Sequence, residues 1–441
     1  MIVLLSMRDS GRQAFERGSG NMHLLVSKDG SAMESILNGI FYAKPPQAPL
    51  TWKEYENISG RFPFEWAIPV QQGDSYQGFP TLATTPEFFT DFKPAIDQGW
   101  ELAQGSLFQK EWEVVVGAVA ARSLGLDIGE KIVLTHGSGA SREGLLGIGG
   151  SGGASSQAEP PAHVHDEFKF KVVGVLKPTG TSHDRALFMN LNSSWILHAF
   201  DRKEREDAAA GKKHDHDHDH DHDHGDDHAH DDHDHDHDHD HEPPMGVADL
   251  IEQDKLITGI FMRVASRPGR DASALLPTVF DALRRDGSIT VAGPSDQIRK
   301  LFEIVGGINQ ILLAIAAAVV VSSGIAIMLA LYNSMEQRRR QIAVLRVLGC
   351  SQGRIFGLVL TESALIGILG VATGVVFSLI AGAIIAQALR QRLGMIITPS
   401  YAPDWLFIVV IATIALACVA GLIPALVAYR TPVAKNLKPM A

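Results

Sequence analysis

Three stretches without a single charged side chain dominate the C-terminal third of this 441-residue chain, at residues 304–335, 363–389 and 405–429. Each is longer than the roughly 20 residues an α-helix needs to cross the hydrocarbon core of a bilayer. One such stretch could be the buried helix of a large soluble protein, but three in a single block could not. The pattern predicts an α-helical membrane protein with three C-terminal transmembrane helices, at about 308–335, 360–389 and 405–429.

The basic residues set the orientation. Arg338, Arg339, Arg340, Arg346 and Arg354 lie between the first two stretches, and Arg430, Lys435 and Lys438 follow the third. The connection between the second and third has only Arg390 and Arg392, beside Pro399 and Pro403. The positive-inside rule places the first connection and the C-terminus in the cytoplasm, so everything before Leu301 lies outside. That region needs a route across the membrane. Residues 1–7 (MIVLLSM) are too short to span or to form a signal core, and residues 1–20 read as the remnant of a truncated first membrane helix.

Residues 21–300 read as an α+β extracytoplasmic domain. A strand at 22–26 precedes a helix at 31–41, and Thr51 with Glu54 forms a capping box at a helix start. Apolar runs at 66–70, 113–117, 131–135, 168–176 and 257–264 read as strands. An amphipathic helix over 271–285 carries Leu275, Val279 and Leu283 on one stripe, with Pro277 marking another start, and a strand follows at 288–291. This strand–helix–strand spacing suggests a small α+β unit beside the membrane. Two low-complexity inserts interrupt the domain. The first, 137–161, is a Gly/Ser/Ala-rich flexible loop. Its Gly147–Gly152 run matches a dinucleotide fingerprint by letter but no helix-forming sequence follows it. The second, 202–244, is rich in His and Asp.

The formal net charge of -11 comes from that second insert, since residues 214–241 contain thirteen Asp and thirteen His. Outside it the chain is near neutral, with no basic footprint for nucleic acid. The two cysteines, Cys350 and Cys418, both lie in the membrane part, so the outer domain has no disulfide framework and relies on a packed core.

The cytoplasmic connection carries the most specific sequence. Glu336-Gln-Arg-Arg-Arg-Gln-Ile-Ala-Val-Leu-Arg346-Val-Leu-Gly349-Cys-Ser-Gln-Gly-Arg354-Ile-Phe resembles the signature of FtsX-like (MacB-type) ABC transporter permeases. The pattern continues through Glu362, Gly367, Gly370 and Gly374 to Pro424-Ala-Leu-Val-Ala-Tyr-Arg430-Thr-Pro432. Val114–Gly117, Gly125–Gly129 and Val173–Gly180 are similar to the periplasmic core domain of the same family. The resemblance implies an FtsX-like permease domain at 301–441, in the bacterial inner membrane, with residues 341–356 as a short interfacial helix broken at Gly349. It makes Gln341, Val344, Leu345, Arg346, Gly349 and Arg354 the residues that couple to an ATPase. Gly370 and Gly374 form a small-xxx-small pair for helix packing, within the chain or in a dimer. The family's first membrane helix is missing, and the chain has no Gly-x-x-x-x-Gly-Lys-Ser/Thr P-loop. The resemblance therefore implies a non-catalytic permease, acting as a homodimer in membrane lipid, with a separate ABC ATPase subunit.

His214, His216, His218, His220, His222, His224, His228, His230, His233, His235, His237, His239 and His241 alternate almost throughout with Asp. Neutral imidazole binds Zn(II), Ni(II), Cu(II) and Co(II), and Asp adds an oxygen ligand and charge, so the tract predicts low-affinity, multi-site metal binding with zinc favoured. No tightly bound cofactor is expected. His163, His165, Asp166, His183 and Asp184 are further ligand candidates, against the commoner roles of surface or packing residues. The expected function is an ABC permease for zinc or other metal transport or homeostasis, with a periplasmic metal-binding or outer-membrane partner. The alternatives are lipoprotein, peptide or drug export, or mechanical activation of a periplasmic partner, with the tract incidental.

Overall fold

The computed structural model describes residues 15–46, 48–136, 163–209, 245–267, 273–393 and 403–430. The chain divides into two compact units, residues 17–294 and residues 295–441 together with 1–16.

The first unit contains strands β1 (Leu24–Ser27), β2 (Leu50–Thr51), β3 (Phe64–Gln71), β4 (Asp74–Tyr76), β5 (Phe79–Thr84), β6 (Leu102–Gly105), β7 (Glu113–Val116), β8 (Lys131–His136), β9 (His163–Leu176), β10 (Leu187–Asn190), β11 (Leu256–Ile257), β12 (Gly259–Val264) and β13 (Thr290–Ala292). Its helices are α1 (Ala32–Gly39), α2 (Trp52–Arg61), α3 (Glu87–Thr90), α4 (Ala118–Leu124), α5 (Leu191–Ala209) and α6 (Leu276–Arg284). The capping box forms as expected: Thr51 accepts from the Glu54 amide, and the Glu54 carboxylate accepts from the Thr51 amide.

One sheet organises this unit, and part of it closes on itself. β5 pairs with β4 and β3 along one edge and with β10 along the other. From β10 the pairing runs through β7, β9 and β8 back to β4, so six strands form a small closed barrel. Closure removes free edges that would otherwise expose unpaired amides and carbonyls. β3, β12, β1 and β13 continue outward from β5 as an antiparallel extension. β9 alternates a buried Phe168, Phe170 and Val172 with exposed Lys169 and Lys171, the period expected of a strand with one face in the core.

Residues 257–291 do not form a unit of their own, as their spacing suggests. β12 and β13 flank β1 on its two edges, because all four β1 residues are buried and both edges need partners. The helix in this segment begins at Leu276 rather than Asp271. Pro277 lacks an amide hydrogen and fits the first turn, which leaves Leu275 47% exposed while Val279 and Leu283 enter the core. The His/Asp insert also starts later than Arg202. α5 continues to Ala209, and Arg202 makes a two-point contact with buried Asp254, Nε–Oδ1 2.7 Å and Nη2–Oδ2 3.1 Å. That contact ties the two sides of the insert together. The loop at 137–161 and the tract at 214–241 lie outside the described residues.

In the second unit, α7 (Pro294–Gln337), α9 (Gln352–Leu393) and α10 (Pro403–Arg430) are long and apolar enough to cross a membrane, with the short α8 (Arg339–Val347) after the first. The expected spans fall inside these helices, which extend further because their polar end turns remain helical. Most of their large apolar side chains are exposed, including Ile311, Phe377 and Phe407. Lipid suits such surfaces, whereas the few buried positions include small residues such as Ala417, Ala425 and Ser363. Residues 1–14, with most of the expected helix remnant, lie outside the described residues.

Candidate functional site

The connection between the first two membrane helices is built as a short platform. Arg338 leaves helical geometry and breaks α7 from α8. Arg339 pairs with Glu336, and Arg338 lies 3.9 Å from Glu362. α8 buries Ala343 and also Ile342, which joins a cluster with Met335, Ile355, Val359 and Ala425 that fixes the helix against all three membrane helices. A nine-residue helix with five aliphatic side chains cannot turn them all toward that one contact. Val344, Leu345, Val347 and Leu348 are left outside, and Leu348 is 78% exposed.

The end of α8 is fixed by backbone geometry. Gly349 adopts φ +95°, its amide donates to the Arg346 carbonyl (3.1 Å), and the Cys350 amide donates to the Leu345 carbonyl (3.0 Å). This is a Schellman closure, and the left-handed residue in it is most often glycine. Ser351 then caps α9 by accepting from the Arg354 amide.

Gln341, Val344, Leu345 and Arg346 thus share α8, with Gly349 closing it. Arg354, expected on the same interfacial helix, is instead exposed in the first turn of α9, because the closure at Gly349 ends α8 at Val347. Val347 and Leu348 are exposed apolar residues that sequence reasoning did not assign to the site. The signal was their excess over what one helix face can bury.

A Cβ added at Gly370 or Gly374 would meet nothing within 4 Å among the described residues. The close approach between α9 and α10 occurs instead at Gly367, where a Cβ would lie 2.8 Å from Ala417 Cβ, and at Gly421, where it would fall on the Ser363 side chain.

The metal candidates divide. The thirteen tract histidines lie outside the described residues, as do the side chains of His163, His165 and Asp166. His183 is a packing residue, fully buried among Phe88, Phe92 and Trp100. Its Nδ1 lies 2.7 Å from the Tyr42 hydroxyl, and burial pushes its pKa down to about 3. Asp184 accepts from the Thr179 amide and hydroxyl and from the Gly180 amide. Burial pushes its carboxyl up, against those hydrogen bonds. Both side chains are buried in the core. Among the described residues no group of three or more His, Cys, Asp or Glu is arranged to hold one.

Residues 313–433 match the profile of the FtsX-like permease C-terminal family, and residues 1–211 match the MacB-like periplasmic core domain. The chain belongs to the FtsX-like, MacB-type family of ABC transporter permeases. The first match contains α8 and most of the membrane helices. The second stops at the His/Asp insert, although β12 and β13 beyond it complete the same sheet. This permease therefore has an α/β extracellular domain and three apolar membrane helices, and its family works with a partner ATPase subunit. No curated protein matches the sequence. A solved structure, the extracellular domain of the noncanonic ABC-type transporter YknZ from Gram-positive bacteria, is similar at 8% identity and a TM-score of 0.24, covering 61% of this chain and 98% of that one.

Proposed function

We propose that this permease, as a homodimer in the bacterial inner membrane, relays ATP-driven motion from a separate cytoplasmic ATPase to its extracytoplasmic domain, with α8 as the element the ATPase grips. The observation that carries this reading is the two-sided character of α8. Ile342 and Ala343 lock it to the membrane helices, while Leu345, Val347 and Leu348 stand exposed beside Arg340 and Arg346. Exposed aliphatic side chains rimmed by cations are characteristic of a protein contact. Leu345→Asp combined with Leu348→Asp leaves Ile342 and Ala343 in place. We expect the variant to insert normally but to lose co-purification with the ATPase and at least tenfold of stimulated ATP turnover, the loss given by about 1.4 kcal/mol of contact energy. Retention of both properties would refute the assignment of α8.

The extracytoplasmic task in this proposal is zinc or related metal handling, with a periplasmic metal-binding or outer-membrane partner. Support comes from the composition of residues 214–241, where nearly every residue is a ligand type for borderline divalent ions. Deleting this tract from the native gene should lower cellular zinc and growth under a zinc chelator while membrane levels and ATPase assembly stay unchanged. Growth like the wild type at every chelator level would leave the tract without a metal role and favour the export reading.

A further inference from the structure

An open cleft of about 730 Å³ lies in the extracytoplasmic domain, and none of its lining residues is among those assigned above to coupling or metal binding. Its volume falls in the range of small-molecule sites, roughly 300–1,000 Å³. One wall is α5, which presents Trp195, His198, Arg202 and Arg205 at helical spacing along a single face. Pro46 and Pro49 line the cleft as well.

Two polar groups give the cleft a direction. Gln71, at the end of β3, is about nine-tenths buried, yet its Oε1 has no hydrogen-bond partner among the described residues. A buried acceptor without a donor is costly, and a ligand N–H or O–H would satisfy it. Arg205 is exposed, and its Nε donates to the Asp201 carbonyl (3.0 Å), which orients the guanidinium. Its two terminal nitrogens have no hydrogen-bond partner among the described residues. Arg202 is different, because Asp254 and Glu206 already occupy it. The cleft thus combines a buried acceptor, an apolar wall of Trp195 and prolines, and an available cationic fork suited to a carboxylate.

From this arrangement we infer that the cleft binds small amphipathic carboxylates that carry an N–H donor. The carboxylate pairs with Arg205, the apolar body packs on Trp195, Pro46 and Pro49, and the N–H reaches Gln71. The site lies within residues 45–258 and stands independently of the ATPase and metal readings.

N-acetylphenylalanine serves as the probe, with its C-terminal amide and its O-acetyl ester analogue as comparisons, titrated by saturation-transfer NMR against the full-length chain in nanodiscs. The acid should bind, and the amide should bind tenfold to a hundredfold more weakly, the range for losing a charge-assisted hydrogen bond. Arg205→Ala should abolish that difference. The ester, which lacks the N–H, should bind several-fold more weakly than the acid to the wild type but equally to Gln71→Leu. Gln253→Trp, at the exposed rim, should block all three ligands without lowering the melting temperature, which separates blockage from misfolding. Equal affinity for acid and amide would overturn the inference. So would the absence of acid binding at about 10 mM, a concentration that detects even millimolar sites.

Discussion

Gly421→Leu should disrupt the membrane unit more than any other single change at a glycine in it. A Cβ at position 421 would fall on the Ser363 side chain and lie 2.6 Å from Ser363 Cβ. Ser363 is fully buried and donates to the Val359 carbonyl (3.0 Å), so it has no empty space to turn into. α9 and α10 must therefore separate, and overpacking of this kind costs about 1–3 kcal/mol or more. Purified Gly421→Leu should melt well below the wild type in detergent, with a reduced folded yield. Gly421→Ala combined with Ser363→Gly should recover much of that loss, because the second change removes the obstructing atoms. Gly370→Leu is the internal control. A Cβ there meets nothing within 4 Å among the described residues, so its melting temperature as an isolated chain should match the wild type. A similar loss in both single variants would refute the assigned α9–α10 contact.

Acid should destabilise the extracytoplasmic domain through His183. Burial holds its pKa at about 3, while an exposed imidazole in the unfolded chain titrates near 6.5. Burial also pushes the Tyr42 hydroxyl up, so it stays protonated and shares a hydrogen bond with Nδ1 of the neutral ring. Below pH 6.5 the unfolded chain takes up a proton that the folded chain refuses. The stability associated with the neutral ring is fully present above about pH 6.5 and is lost as the pH falls toward 3, at about 1.4 kcal/mol per unit. His183→Gln retains an acceptor for Tyr42 but cannot titrate. Urea midpoints followed by the fluorescence of Trp100, whose ring lies 5.9 Å from that of His183, should fall more steeply with acid in the wild type than in the variant. Parallel pH profiles would show that His183 does not control acid stability.

The sequence alone determined the features whose causes are local. A bilayer demands about 20 consecutive apolar residues, so the three spans were legible as runs of letters. The Thr51–Glu54 box was equally readable, because its reciprocal hydrogen bonds lie within four residues. Gly349 marked the end of α8 for the same reason, since its closure reaches back only to Leu345. The α8 patch was half legible: its residue types were plain, but which of them face outward depended on the cluster around Ile342.

Only the tertiary structure decided features set by residues far apart in sequence. Closure of the barrel depends on β5 meeting β10, and β1 gains both its neighbours from beyond residue 258. The Arg202–Asp254 pair, across the insert, extended α5 past the point where composition suggested an end. A Gly-xxx-Gly spacing showed that helices could approach, but the shape of the facing helix put the contact at Gly367 and Gly421 instead. His183 was open between a ligand and a packing role in one dimension, and the aromatic rings packed around it made it part of the core. Hydropathy and capping act over a few residues, whereas burial is a property of what the rest of the chain brings alongside.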